Sequence, residues 1–226
     1  MADLTATQLA TRLGVTTRRA RDLLRSEVIA GHQLPNGMWL ADSDSVARYE
    51  ISANRGSGRT LNAATAWGLL WELSGLDAEW LNPSARARVR RRIRESDANE
   101  LATAVSKRAR AHRFTAANAK RAASGLIRTG RSAVGVLDTD LIEDSRQVIG
   151  YVRKGAVDDY AKSNFMITDA AGRDVIYENT LPIKYETTTM PAAVVAADLA
   201  VSTDTRERSA GLKALEEMRQ QWLASS

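Results

Sequence analysis

The strongest constraint on what this chain can fold into is the run Thr5–Leu40, where two helical stripes stand one glycine turn apart. Leu9, Ala10 and Leu13 recur at helical spacing, and Thr5 with Gln8 has the form of a capping box, so a short helix is expected to begin there. Gly14 permits a tight turn. A second helix is expected to open at Thr16 or Thr17, with Ala20, Leu23 and Leu24 as its apolar stripe. Arg18, Arg19, Arg21 and Arg25 lie largely off that stripe. Such a helix pair, with arginines on the free face of the second, is the sequence form of a helix-turn-helix.

The next stretch extends the pattern. His32 to Leu34 and Met38 to Leu40 flank Pro35, Asn36 and Gly37, and Asn-Gly between apolar residues is a hairpin signal; that hairpin has the place of a wing. A third helix is expected from Ser43 to about Ile51, capped by Asp42 or Ser43 and burying Val46, Tyr49 and Ile51. On Gln8-Leu9-Ala10, Leu13-Gly14-Val15, Arg18 to Leu24, the hairpin and Val46-Ala47-Arg48-Tyr49, the first 51 residues resemble small winged helix-turn-helix domains of the MerR and excisionase type. That resemblance implies double-stranded DNA as the partner. The bland alternative is a solvated basic face on a helix pair.

A chain of 226 residues exceeds one such domain and suits more than one modest core. The absence of cysteine excludes disulfides and thiolate metal sites, and two histidines, His32 and His112, leave little for a histidine-based metal centre or a Ser/His/Asp triad. The start lacks a basic, apolar leader, and the longest apolar run, Ala192 to Val201, is interrupted by Asp198, so a soluble, cytoplasmic protein with no membrane contact is expected. Residues 1–130 hold 21 Lys and Arg against 12 Asp and Glu, a net +9, while residues 131–226 hold 11 against 15, a net −4. A basic front half suits a polyanion such as DNA, and an acidic rear half suits a protein partner or solubility alone.

The expected fold class is α+β: a winged helix-turn-helix over 1–51, a Gly/Ser/Arg linker over 52–60, a helical region over 61–130 and a mixed α/β domain over 131–226, with 61–226 as a single domain the alternative. Arg55 and Arg59 in the linker fit either a solvated tether or an arm along DNA. Leu61 to Ser74 reads as a helix capped by Asn62 with Gly75 after its end, and Asn82-Pro83 opens another with Ala85, Val89 and Ile93 as seam. Six arginines, Arg86, Arg88, Arg90, Arg91, Arg92 and Arg94, crowd that second helix and must face water, carboxylate or phosphate. Asp97 and Glu100 cap a helix to about Ala109, followed by a strand near Arg110 to Thr115 and a helix from Ala116 to about Leu126.

Leu126 to Ala133 reads as a turn and lacks the glycine and lysine spacing of a phosphate loop. Short β-type runs are expected at Ala133 to Leu137, Val148 to Val152, Phe165 to Thr168, Val175 to Glu178 and Ile183 to Thr188, with Asp169 to Arg173 as a hairpin loop joining two of them. Helices are expected at Ala156 to Lys162, from Pro191 onward, and from Thr205 to about Leu223.

The order of winged domain, Gly58-Arg59 linker, Thr65-Ala66-Trp67 helix ending Leu73-Ser74-Gly75, Thr129 to Ala133 turn and Ala193 to Leu199 segment followed by Arg206 resembles a group of actinobacterial helix-turn-helix proteins, similar in layout to AbiEi-like antitoxins. That resemblance implies a transcriptional regulator acting as an autorepressing antitoxin, with a nucleotidyltransferase-like toxin as partner and a homodimer on DNA. The N-terminal wing departs from the AbiEi form. The expected DNA-binding residues are Thr16, Thr17, Arg18, Arg19, Arg21, Arg25, His32, Asn36, Gly37, Arg55 and Arg59. An excisionase-like architectural protein, or a DNA-targeting subunit of a defence or mobile-element system, is the alternative. Further off is a metal-dependent nuclease using Asp158, Asp159, Glu178, Asp198 and Asp204, which have no signature spacing. No enzyme, catalytic residue, metal or cofactor is therefore expected.

Overall fold

A computed structural model describes residues 3–43, 45, 46, 49 and 60–225 and shows a mixed α+β chain. The expectations for Ala47, Arg48, Ile51 and the linker, Arg55 and Arg59 included, lie outside the described residues.

The N-terminal elements are β1 (Leu4–Thr5), α1 (Ala6–Leu13), α2 (Thr17–Arg25), β2 (Gly31–Gln33) and β3 (Trp39–Ala41). Thr5 caps α1 through the reciprocal bonds expected of it: its Oγ1 accepts from Gln8 N at 3.3 Å and Gln8 Oε1 accepts from Thr5 N at 2.9 Å. Leu4 and Thr5 also pair with Ala41 and Leu40, which makes a three-stranded antiparallel sheet in the order β1-β3-β2. A two-residue strand shows no periodicity, and Thr5 reads in sequence only as a cap. Ser43, Ser45, Val46 and Tyr49 are helical, and Asp42 Oδ1 accepts from Ser45 N at 2.6 Å. Leu9, Leu23, Leu24, Ile29 and Val46 are buried in one cluster confined to this part of the chain. Each such side chain contributes roughly 1.5–3 kcal/mol by leaving water.

The remaining elements are α3 (Ala63–Leu73), α4 (Pro83–Glu95), α5 (Ala98–Val105), β4 (Ala111–Ala116), α6 (Ala119–Ser124), β5 (Leu126–Arg128), a 3₁₀ segment (Gly130–Val136), β6 (Ile149–Val152), α7 (Val157–Ser163), β7 (Met166–Thr168), β8 (Asp174–Tyr177), α8 (Ala192–Leu199) and α9 (Thr205–Ser225). Asn62, Asn82 and Asp97 cap α3, α4 and α5, each accepting from the backbone N–H three residues on. The five-stranded sheet runs β5-β6-β8-β4-β7, antiparallel except for the β6–β8 pair. Because β4 and β5 precede residue 130 and the other strands follow it, the expected boundary at 130 falls inside a continuous sheet.

Several expectations are corrected. Ala133 to Leu137 is not a strand: most of it lies in the 3₁₀ segment, where Ser132 Oγ donates to Gln147 O and accepts from Ile149 N. The side chain there takes bonds that a ladder would supply. Ile183 to Thr188 forms no strand; a single bridge links Arg128 to Thr189. The apparent turn from Leu126 begins as β5, whose Leu126 and Ile127 are buried, and the preceding helix stops at Ser124. Asp169 to Arg173 is not a hairpin loop, since β4 lies between β7 and β8. The loop crosses β4 on the side carrying Arg113 and Thr115, whose side chains donate to Gly172 O and Asp169 Oδ2. Any Cβ at Gly172 would stand 2.3 Å from Phe114 O, so the crossing requires glycine.

The larger core packs α3, α8 and α9 around Trp67, Leu70, Val194 and Leu215, with Trp67 edge-on to Trp71 and Tyr151. A second cluster, including Phe114, Leu126, Val152 and Ile176, lies under α6 and α7. Within the larger core, Asp198 is buried on an otherwise apolar helix. It accepts from Arg108 Nη2, from Thr129 Oγ1 at 2.6 Å and from the Tyr151 hydroxyl at 2.9 Å. Arg108 also donates to Tyr151 at 2.8 Å and lies over Trp67 at 5.3 Å. Burial alone would lower the Arg108 pKa, but Asp198, followed by the two tyrosines, outweighs it and holds the guanidinium above its usual value. Burial pushes the Tyr151 hydroxyl well above its usual range, so it remains a proton donor.

Asp198→Ala leaves Arg108 charged, buried and unpaired, and is expected to cost about 3–5 kcal/mol. Urea unfolding of the variant and parent chains measures this; a loss under about 1 kcal/mol, as at an exposed pair, would contradict it.

Candidate nucleic-acid interface

The placement of α2 starts with its two ends. At the end of α1, Gly14 sits at φ 64° and its N–H reaches back to Ala10 O and Thr11 O, while Val15 N donates to Ala10 O at 3.0 Å. Thr16 then caps α2, its Oγ1 accepting from Arg19 N at 3.2 Å. Ala20, Leu23 and Leu24 are buried against α1 and the sheet, so the rotation of α2 about its axis is fixed by packing.

Arg18, Arg19, Arg21 and Arg25 are all exposed. Helical spacing places Arg18, Arg21 and Arg25 along one face, whereas Arg19 lies about 100° away from Arg18 on another flank. The arrangement thus brings three of the four expected arginines together and leaves Arg19 aside. Arg25 approaches Asp22 at 3.9 Å; among the described residues the side chains of Arg18, Arg19 and Arg21 have no ion-pair partner. Thr16 and Thr17 stand at the N-terminal end of the same helix, where unpaired backbone N–H groups and the helix dipole favour an anion.

The hairpin is built as a three-residue loop. Gly37 N donates to Leu34 O at 2.9 Å, Leu34 N to Met38 O at 2.8 Å and Met38 N to Asn36 Oδ1 at 3.0 Å. Gly37 has φ 81°, the left-handed position that closes this loop type with a bulge. His32, Asn36 and Gly37 are exposed on it. Arg55 and Arg59 lie outside the described residues.

The carboxylates weighed for a nuclease do not gather. Asp198 is locked by Arg108, Glu178 meets His112 at 2.9 Å, Asp204 caps α9 through Arg206 N and Glu207 N, and Asp158 with Asp159 occupies the first turn of α7. Among the described residues no group of three or more His, Asp or Glu side chains is placed to hold a metal ion. Sequence reasoning missed the buried Arg108–Tyr151–Asp198–Thr129 set; its one trace was a carboxylate in the apolar run Ala192 to Val201. Among the described residues no helix is long and apolar enough to cross a membrane.

No family model, no curated protein and no solved structure matches this chain.

Replacing the Thr16 cap removes the acceptor for Arg19 N. Thr16→Ala is expected to cost about 1 kcal/mol. A shift of the unfolding midpoint at constant m value reads that loss, and an unchanged midpoint contradicts the capping role.

Proposed function

We propose that this chain is a sequence-specific double-stranded DNA-binding transcriptional regulator whose N-terminal part works as a winged helix-turn-helix. The observation that carries the reading is α2 itself: a helix locked in rotation by three buried residues and a capping threonine, with Arg18 and Arg21 exposed and without ion-pair partners among the described residues.

Guanidinium groups on such a helix match the paired acceptors O6 and N7 of guanine, which the major groove exposes. Arg18 and Arg21 take that role, and Arg25, drawn toward Asp22, stands nearer the backbone. Thr16 and Thr17 offer phosphate contacts at the helix start, and the hairpin with His32 and Asn36 fixes register. Phosphate contacts orient the protein without reading sequence, so discrimination rests on the two arginines. Arg19, on a different flank, is assigned a phosphate contact.

The autorepressing antitoxin role, with a nucleotidyltransferase-like toxin as partner, is supported by the layout of the chain: a reading unit followed by a larger body of its own core. Co-purification with the product of an adjacent nucleotidyltransferase-like gene tests that part separately.

Selection of duplexes from a random pool should yield a defined site. Arg21→Ala should then lose roughly 1–3 kcal/mol of discrimination at one base position while keeping most of its affinity for unrelated duplex. A variant as selective as the parent would refute the assignment of α2 as the reading helix.

A further inference from the structure

The reading unit and the body of the chain carry their charge differently. Residues 1–51 hold six arginines against six Asp and Glu and are neutral, whereas in the body residues 52–130 hold 15 Lys and Arg against six acids and residues 131–226 hold 11 against 15. Phosphate attraction supplies the sequence-independent part of DNA affinity, and it scales with the cations that reach the backbone. A neutral reading unit provides little of it.

The densest cationic element of the chain is α4, whose seam of Ala85, Val89 and Ile93 is buried. Two of its six arginines are spent internally. Arg86 pairs with Asp77 at 2.9 Å and donates to Ala78 O, and Arg90 pairs with the buried Glu72 at 3.3 Å. Arg92 is half-buried.

The other three, Arg88, Arg91 and Arg94, are exposed. Arg88 has no ion-pair partner among the described residues, Arg91 meets only Glu95 at 3.9 Å, and Arg94 lies over Trp222 at 5.4 Å. Successive spacings of three carry them along one stripe, about 9 Å long at the rise of an α-helix. The stripe is held stiffly. Asn82 caps the start of α4, and Arg219 of α9 donates to Ile93 O at 2.8 Å and Arg94 O at 2.9 Å at its end.

Like charges three and four residues apart destabilise a helix. Asp77 and Glu72 relieve Arg86 and Arg90, while the outer stripe has a single carboxylate, Glu95, against three cations. An external polyanion relieves it.

We infer that Arg88, Arg91 and Arg94 form a second DNA contact, one that grips the phosphate backbone without reading sequence. The inference rests on the DNA-binding reading proposed above and adds a second set of phosphate contacts, on α4, to those of the neutral first 51 residues.

The test uses the full chain, its selected duplex and an unrelated duplex of equal length. Binding is measured from low to moderate salt for the parent and for the triple variant Arg88→Ala, Arg91→Ala, Arg94→Ala. The triple is expected to weaken binding to both duplexes by the same factor and to flatten the log K against log salt slope by about two to three, near 0.9 for each lost contact. The triple Arg88→Lys, Arg91→Lys, Arg94→Lys keeps the charge and should keep the slope. All three side chains are exposed, and circular dichroism confirms that each variant is folded. A parent that binds duplex with an unchanged slope in the alanine triple overturns this inference and leaves the reading helix standing, as does a flattened slope in the lysine triple. A parent that binds no duplex removes the DNA-binding reading and this inference with it.

Discussion

A carboxylate in the middle of an apolar helix dictates much of the body of this chain. From Ala193 to Leu199 every residue of α8 is buried, Asp198 included. Left alone, that charge would cost several kcal/mol or neutralise itself. It is instead met by a guanidinium after α5, a hydroxyl after β5 and a phenol on β6. Segments 90, 69 and 47 residues away in sequence must therefore converge on one point. These directed bonds can all be made in one arrangement of the three segments, and losing one partner leaves a charge buried without its counterpart. Trp67 closes the arrangement: it lies under Arg108, and its indole N–H donates to Thr180, whose hydroxyl in turn donates to Arg108 O.

The N-terminal part solves the opposite problem, how to hold two short helices without a large core. α1 has eight residues and α2 nine, lengths at which an isolated helix is unstable in water. Their persistence depends on end bonds and on the sheet: reciprocal capping at Thr5, the Gly14 C-cap, the Thr16 cap, and a β3 strand that pairs on both edges. Ser45 adds a long-range tie, its hydroxyl accepting from Ala30 N at 2.8 Å. The exposed face of α2 is left free of structural duty by these devices.

What the sequence made legible was local chemistry. Thr5 with Gln8, Asn62, Asn82 with Pro83, and Asp97 with Glu100 each mark a helix start because capping depends on residues within three positions of one another. Leu34 to Met38 is legible for the same reason. The order of the five-stranded sheet was not, because β5 and β7 have three residues each and their alternation cannot be told from chance. Asp169 to Arg173 has the composition of a hairpin loop, yet it crosses β4 instead; only the pairing of β4 with both neighbours shows this. For the site, the spacing of Ala20, Leu23 and Leu24 already fixes which face of α2 is buried and sets Arg19 on a different flank from Arg18, Arg21 and Arg25.

On the proposed reading, the neutrality of the first 51 residues is a device for discrimination. Attraction to phosphate strengthens binding to every sequence alike, so it raises affinity without changing the ratio between right and wrong sites. Asp22 sits among the arginines of α2 and near Arg25 at 3.9 Å. A carboxylate there opposes a loose approach of the backbone, while an arginine aligned with guanine gains two directed bonds that a misplaced one does not. Attraction placed on α4 and selectivity placed on α2 can then be set independently. A chain with all its cations on the reading helix would have to trade one against the other.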